Sequence, residues 1–181
     1  MIEELRREFW AFLRAKGFPK GIDDKAILEA EKEVMSEAVN GKRLAEGDWY
    51  SVFGGCHSDD VAVVKLLAEK LGLKQGVDWD YGLELDDYHF EIAYGKSEKV
   101  YRLIQLVQLY FDASAVFVAV SMQLASKKHV GEAEIQRLFK EEWDRLNEEK
   151  WKALLKVEAE FLNNFLRRFD SRAKNVERGE K

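Results

Sequence analysis

The stretch of sequence that decides the fold runs from Gly131 to Arg172 and reads GEAEIQRLFKEEWDRLNEEKWKALLKVEAEFLNNFLRRFDSR. It contains no proline, and no glycine after Gly131. Apolar residues recur along it at helical spacing, so the stretch predicts one long helix. These positions are Ile135, Phe139, Trp143, Leu146, Leu154, Val157, Phe161, Phe165 and Phe169.

This helix is too long for a compact chain of its size. A helix of 42 residues spans roughly 63 Å, whereas a compact domain of 181 residues is roughly 40 Å across. The apolar stripe must therefore be covered by another chain, or the helix must bend. A break near Asn147 would give a helical hairpin within one monomer, and we favour self-association over that hairpin. The apolar recurrence is nearer 11 residues than 7, which favours a broad packing surface over a leucine zipper.

The composition is that of a globular protein with an unusual density of charge. Hydrophobic residues make up 46% of the chain and charged residues 35%, with one proline. The apolar content is ample for one core, and the dense mixed charge suits a thermophilic source. The single cysteine, Cys56, excludes an internal disulfide and favours a reducing compartment. The charged, amphipathic start of the sequence has no signal-peptide core, so we expect a cytoplasmic protein.

The rest of the chain reads as helices with a few short strands. Asp23 or Asp24, Ser58 and Ser97 are expected helix N-caps, and Gly72 is an expected helix end. Residues 115–122 are β-branched and apolar, and we slightly favour a strand there over a helix. The predicted elements are helices 2–16, 24–39, 59–71 and 98–111, a strand at 48–53, a turn at 54–57 and a kinked β segment at 77–94.

These elements predict an α+β, predominantly helical fold. A small antiparallel sheet is packed by helices, and a long C-terminal helix follows. The expected organisation is a helix-rich α+β domain at residues 1–128, the long helix for self-association at 129–175, and a disordered tail at 176–181.

The sharpest catalytic hypothesis joins Cys56 to His89. Cys56 precedes a predicted helix N-terminus, which would favour its thiolate, and His89 lies on a later predicted strand. The order Gly54, Cys56, a helix at 61–71 and then His89 resembles the papain-like and transglutaminase-like cysteine enzymes. The resemblance implies acyl transfer with Cys56 as nucleophile and His89 as its base. Those families orient the histidine from a following strand, whereas the segment after Gly95 is predicted to be helical.

The predicted sheet also contains residues of the types that bind a metal ion or single-stranded nucleic acid. We expect no metal or other cofactor. Asp87, His89 and Glu91 alternate on one strand face, but successive positions of a face are about 7 Å apart and rarely share one ion. Aromatic residues in the predicted sheet could stack on single-stranded nucleic acid. The aromatics are Trp49, Tyr50, Phe53, Trp79, Tyr81, Tyr88, Phe90 and Tyr94, and the basic residues available for phosphates are Arg167, Arg168, Arg172, Lys174 and Arg178.

Charge and hydropathy bear on the partners. The net charge is −5, and residues 77–91 carry six acidic side chains and no basic one, which disfavours nucleic acid. The most apolar stretch, 103–126, contains Asp112 and several polar residues, so we expect a core segment and no membrane partner. The leading hypothesis is a non-enzymatic binding or scaffold protein that forms a homodimer or higher oligomer through its C-terminal helix, with a further protein partner possible.

Overall fold

The chain forms an α+β fold that is predominantly helical, as predicted. The computed structural model describes residues 1–41, 43–84, 87–93, 97–127 and 130–177. In chain order the elements are α1 (Ile2–Ala15), α2 (Asp24–Val39), β1 (Trp49–Cys56), α3 (Ser58–Leu71), β2 (Trp79–Glu84), β3 (Asp87–Ala93), α4 (Glu98–Leu124) and α5 (Glu132–Glu177).

Three of the helix boundaries are set by capping residues. The Asp23 carboxylate accepts a hydrogen bond from the Ala26 amide at 3.0 Å, and the Ser97 hydroxyl accepts one from the Val100 amide at 3.4 Å. Gly72 ends α3 with a left-handed φ of 68°, a conformation that favours glycine. The prediction for α3 was one residue late, because its N-cap is His57 and Ser58 is its first residue.

The sheet has three antiparallel strands in the order β1-β3-β2. Tyr81 lies opposite Phe90, and Trp79 lies opposite Ile92. All four side chains are buried, and α3 packs against β3. The predicted kinked segment is thus two strands. The predicted turn at 54–57 is corrected, because β1 extends through Cys56, while Tyr94 lies outside the described residues.

The segment 115–122 is helical, so the strand favoured from sequence was wrong. It forms the C-terminal part of the 27-residue helix α4. Val116 and Val120 are buried while Val118 is exposed, which is a helical spacing of four rather than the alternation of a strand. Valine content misled the prediction because tertiary packing overrides a weak β propensity.

Helix α4 is the central packing element, contacting α1, α3 and α5. By length and composition alone it would also suit a membrane span, a test that core helices of soluble proteins pass as well. Aromatic side chains join α1 to its neighbours. The rings of Phe9 and Tyr110 form an edge-to-face pair with their centroids 5.8 Å apart. The ring centroid of Phe12 lies 4.9 Å from that of Phe139 and 4.7 Å from that of Trp143, both in α5.

Helix α5 is continuous over 46 residues, which is roughly 69 Å. The alternative of a break near Asn147 was therefore wrong: the Asn147 side chain donates to the Trp143 carbonyl at 2.9 Å within the helix. Residues 176 and 177 of the predicted tail belong to α5, and 178–181 lie outside the described residues. Ion pairs at four-residue spacing line the outer side of α5: Arg137–Glu141, Lys140–Asp144, Arg145–Glu149 and Glu148–Lys152.

Candidate functional site

Cys56 and His89 lie on opposite faces of the sheet. Cys56 is the last residue of β1, is buried, and stands opposite Tyr88 in the register. Directly paired residues share a face, and the next residue along a strand points to the other face. His89 is therefore directed away from Cys56. Its ring lies over Gly82, where a Cβ atom would come within 3.0 Å of His89 Cε1.

The surroundings of Cys56 also disfavour its thiolate. Burial, followed by the negative charges of Asp60 and Asp59, raises the pKa of Cys56 to about 11. The sequence led us to expect the reverse, because a helix N-terminus stabilises an anion. Here the first turn of α3 already carries two carboxylates, and Asp60 accepts a hydrogen bond from the His57 amide at 2.9 Å. The structure thus does not assemble the nucleophile and base that acyl transfer requires.

The buried acidic residue of the sheet, Asp80, makes structural contacts. Asp80 is fully buried and accepts hydrogen bonds from the Ala45 amide at 2.8 Å and the Gln75 side chain at 3.3 Å. These bonds fasten the segment before β1 to the sheet. This role could not be predicted from the sequence, since nothing in the pattern separates Asp80 from the other acidic residues of 77–91. Within the described part of the chain, no group of three His, Cys, Asp or Glu side chains is placed to hold a metal ion.

Three of the sheet aromatics are packed in the core, while Trp49 and Tyr88 are half-buried. Trp79, Tyr81 and Phe90 are each at most 2% exposed, and the rings of Trp79 and Tyr81 stack on one another at 6.1 Å. A base can stack only on an aromatic face that solvent reaches. These three residues are therefore unavailable to nucleic acid, while the side chains of Tyr50 and Phe53 lie outside the described part.

The feature that stands out is the C-terminal end of α5, which leaves the globule after Lys150. We call residues 151–177 the extension. Every side chain from 151 to 164 is exposed. Among them are six large apolar residues, with Phe161 at 69% and Trp151 at 60% exposure. We call these six the apolar face: Trp151, Leu154, Leu155, Val157, Phe161 and Leu162.

The apolar face is broad and extends round to the solvent side of α5. At about 100° per residue, it covers an arc of roughly 160°. Trp151 lies sixteen residues after the buried Ile135, and Leu155 lies sixteen residues after the buried Phe139. Around the helix axis, a separation of sixteen residues places the two side chains of each pair about 160° apart. Part of the apolar face therefore lies opposite the side that α5 buries in its own globule.

Such a surface is suited to association with another apolar surface. Soluble monomers rarely expose contiguous apolar patches larger than a few hundred Å². The apolar stripe that includes Leu154, Val157 and Phe161 could be predicted from the sequence, because helical spacing is a pattern among neighbouring residues. Comparison with known proteins adds no functional clue, because no protein family, curated protein or solved structure shows a significant match to this chain.

Proposed function

We propose that this chain is a non-enzymatic binding or scaffold protein that associates with copies of itself through the extension of α5. The observation that supports this is the exposed apolar face, six large side chains on a helix that projects from an otherwise packed globule. A second copy is the partner that offers an identical apolar surface at equal concentration.

The size of the surface is adequate for specific association. Burying the apolar face on two copies removes on the order of 1,200 Å² from water, at the lower end of the about 1,200–2,000 Å² of stable interfaces. The aromatic members, Trp151 and Phe161, are of the residue classes that contribute most to interface energy. The single, buried Cys56 is consistent with the cytoplasmic location that the proposal includes.

Sedimentation velocity on the full-length chain tests the proposal. We expect an oligomer at micromolar concentration, and a monomer when Leu155 and Leu162 are both replaced by lysine. The matched control is the exchange Lys156→Glu with Glu160→Lys. It keeps the net charge and alters exposed positions on the opposite side of the same helix, so it should leave association unchanged. A wild-type chain that remains monomeric at 100 micromolar, a concentration chosen for the test as roughly a hundredfold above a typical micromolar Kd, would overturn the proposal.

A further inference from the structure

We infer that two copies pair through their extensions in antiparallel orientation, so that the basic end of each extension lies along the acidic half of the partner's α5. This inference rests on the proposed function and specifies its geometry. Three independent features support it: the charge distribution along α5, the register that the apolar face imposes, and the accessibility of the outer side of the helix.

Charge along α5 is unevenly distributed. Residues 132–149 contain seven acidic and three basic side chains, whereas 166–177 contain four basic and two acidic ones. A parallel pair would bring acidic half to acidic half and basic end to basic end. An antiparallel pair brings opposite charges together, which favours the correct partner orientation. The basic residues are Arg167, Arg168, Arg172 and Lys174.

The apolar face fixes the register of such a pair. When residues 151–162 are laid on themselves in the reverse direction, Trp151 lies beside the partner's Leu162. Glu158 is the one acidic residue within the angular range of the apolar face. In this register it lies beside the partner's Leu155, so the two Glu158 carboxylates of the pair do not repel each other. In the same register, residues 167–174 lie along residues 139–146 of the other chain. That stretch carries three acidic side chains, Glu141, Glu142 and Asp144, and two basic ones, Lys140 and Arg145, so its net charge is negative.

The outer side of α5 is open to a partner helix in this arrangement. Asp144 and Glu148 are exposed. At about 100° per residue they lie on the same side of the helix as Trp151 and Leu155, which follow them along the axis. A second helix seated on that line passes over the solvent side of α5. The globule contacts the other side, through Ile135 and Phe139, so the two do not collide.

Distances between spin labels, measured by pulsed dipolar spectroscopy, test the orientation. Full-length chains carrying Cys56→Ala are labelled at Lys156→Cys in one sample and Gln136→Cys in another. Both positions are exposed. In the antiparallel register, labels at 156 lie near the centre of the pair on its outward sides, roughly 20–30 Å apart, and labels at 136 lie roughly 60 Å apart along the axis. A parallel pair gives similar, short distances at both positions.

The possible outcomes separate this inference from the proposed function. A short distance at 156 with a long one at 136 supports antiparallel pairing. Short distances at both positions in a confirmed oligomer would overturn it and leave self-association standing. A monomer in sedimentation with no dipolar signal overturns both. As a second readout, the antiparallel pair should weaken several-fold between 50 mM and 500 mM NaCl, salt levels set for the test to bracket a Debye length of about 10 Å at 100 mM.

Discussion

Lys150 and Asp112 join α5 to α4 at the point where α5 leaves the globule. The Lys150 ammonium donates to the Asp112 carboxylate at 2.5 Å, and Gln108 donates to the same oxygen at 2.8 Å. From Trp151 to Asn164 every side chain is exposed. This contact therefore separates the half of α5 that belongs to the core from the half that does not.

The Lys150–Asp112 pair should contribute little to stability despite its position. Lys150→Gln is expected to lower the free energy of unfolding by less than about 1 kcal/mol, because Lys150 is 44% exposed and solvent screens the pair. Phe139→Ala, in the buried half of the same helix, should cost about 3–5 kcal/mol. Urea unfolding followed by circular dichroism measures both, and similar losses for the two variants would contradict this interpretation.

Cys56 should be almost unreactive in the folded protein. With a pKa raised to about 11, only about one thiol in a thousand is ionised at pH 8, and burial blocks access as well. We expect an aromatic disulfide reagent to label the native chain only over hours at pH 8, and the guanidinium-unfolded chain at once. Stoichiometric labelling of the native chain within a minute would revive the nucleophile hypothesis.

Stability should fall in alkaline solution. Burial raises the pKa of Tyr110 to about 12 and, together with the hydrogen bond to Glu37, raises that of Tyr81 further. In the unfolded chain, cysteine ionises at about pH 8.5 and tyrosine at about pH 10. Above those values the unfolded state loses protons that the folded state retains, so the free energy of unfolding decreases from about pH 9 towards pH 12.

Two measurements check the alkaline prediction. Absorbance at a tyrosinate wavelength should show that at least two of the six tyrosines titrate only with unfolding. Tyr81→Phe should cost about 1–3 kcal/mol at neutral pH, because it removes a hydrogen bond to a carboxylate. It should also make the decline above pH 10 shallower, and an unchanged slope would show that Tyr81 does not contribute to it.

Gly82 should be intolerant of a side chain. A Cβ at this position would lie 3.0 Å from His89 Cε1 and 3.2 Å from the Leu44 backbone nitrogen. Gly82→Ala is therefore expected to lower stability by about 1–3 kcal/mol. Adding His89→Ala should restore only part of that loss, since the Leu44 backbone still blocks the site.

Gly131→Ala is the matched control for Gly82→Ala. A Cβ there meets no atom within 4 Å and the φ of Gly131 is not positive, so the change should be neutral or stabilising by up to about 1 kcal/mol. Thermal unfolding of the variants measures the difference. If Gly82→Ala were as stable as Gly131→Ala, the close packing over β2 would be refuted.

What could be predicted from the sequence was local. Asp23, Ser97 and Gly72 act on backbone groups within a few residues, so the helix ends they mark were found. The long C-terminal helix was found for the same reason, since its spacing is complete within the segment.

What could not be predicted depended on pairing across the chain. Whether Cys56 and His89 share a face depends on the β1–β3 register, which includes irregularities on both sides of Phe53. The helical state of 115–122 depended on which valines meet the core. In both cases the decisive contact is with a distant element, about which a local pattern carries no information.

The ladder of ion pairs on α5 continues across the point where the helix leaves its support. The pair Arg145–Glu149 ends just before Lys150, and the pair Glu148–Lys152 spans it. These i,i+4 pairs stabilise the helix at the point where it leaves the globule. The extension is helical, so the proposed association would require no coil-to-helix ordering. We expect it to act as a stiff spacer between the globule and the proposed partner. In a pair, each globule would be held at a fixed angle to the other, and a rotation of one globule would be transmitted to the other.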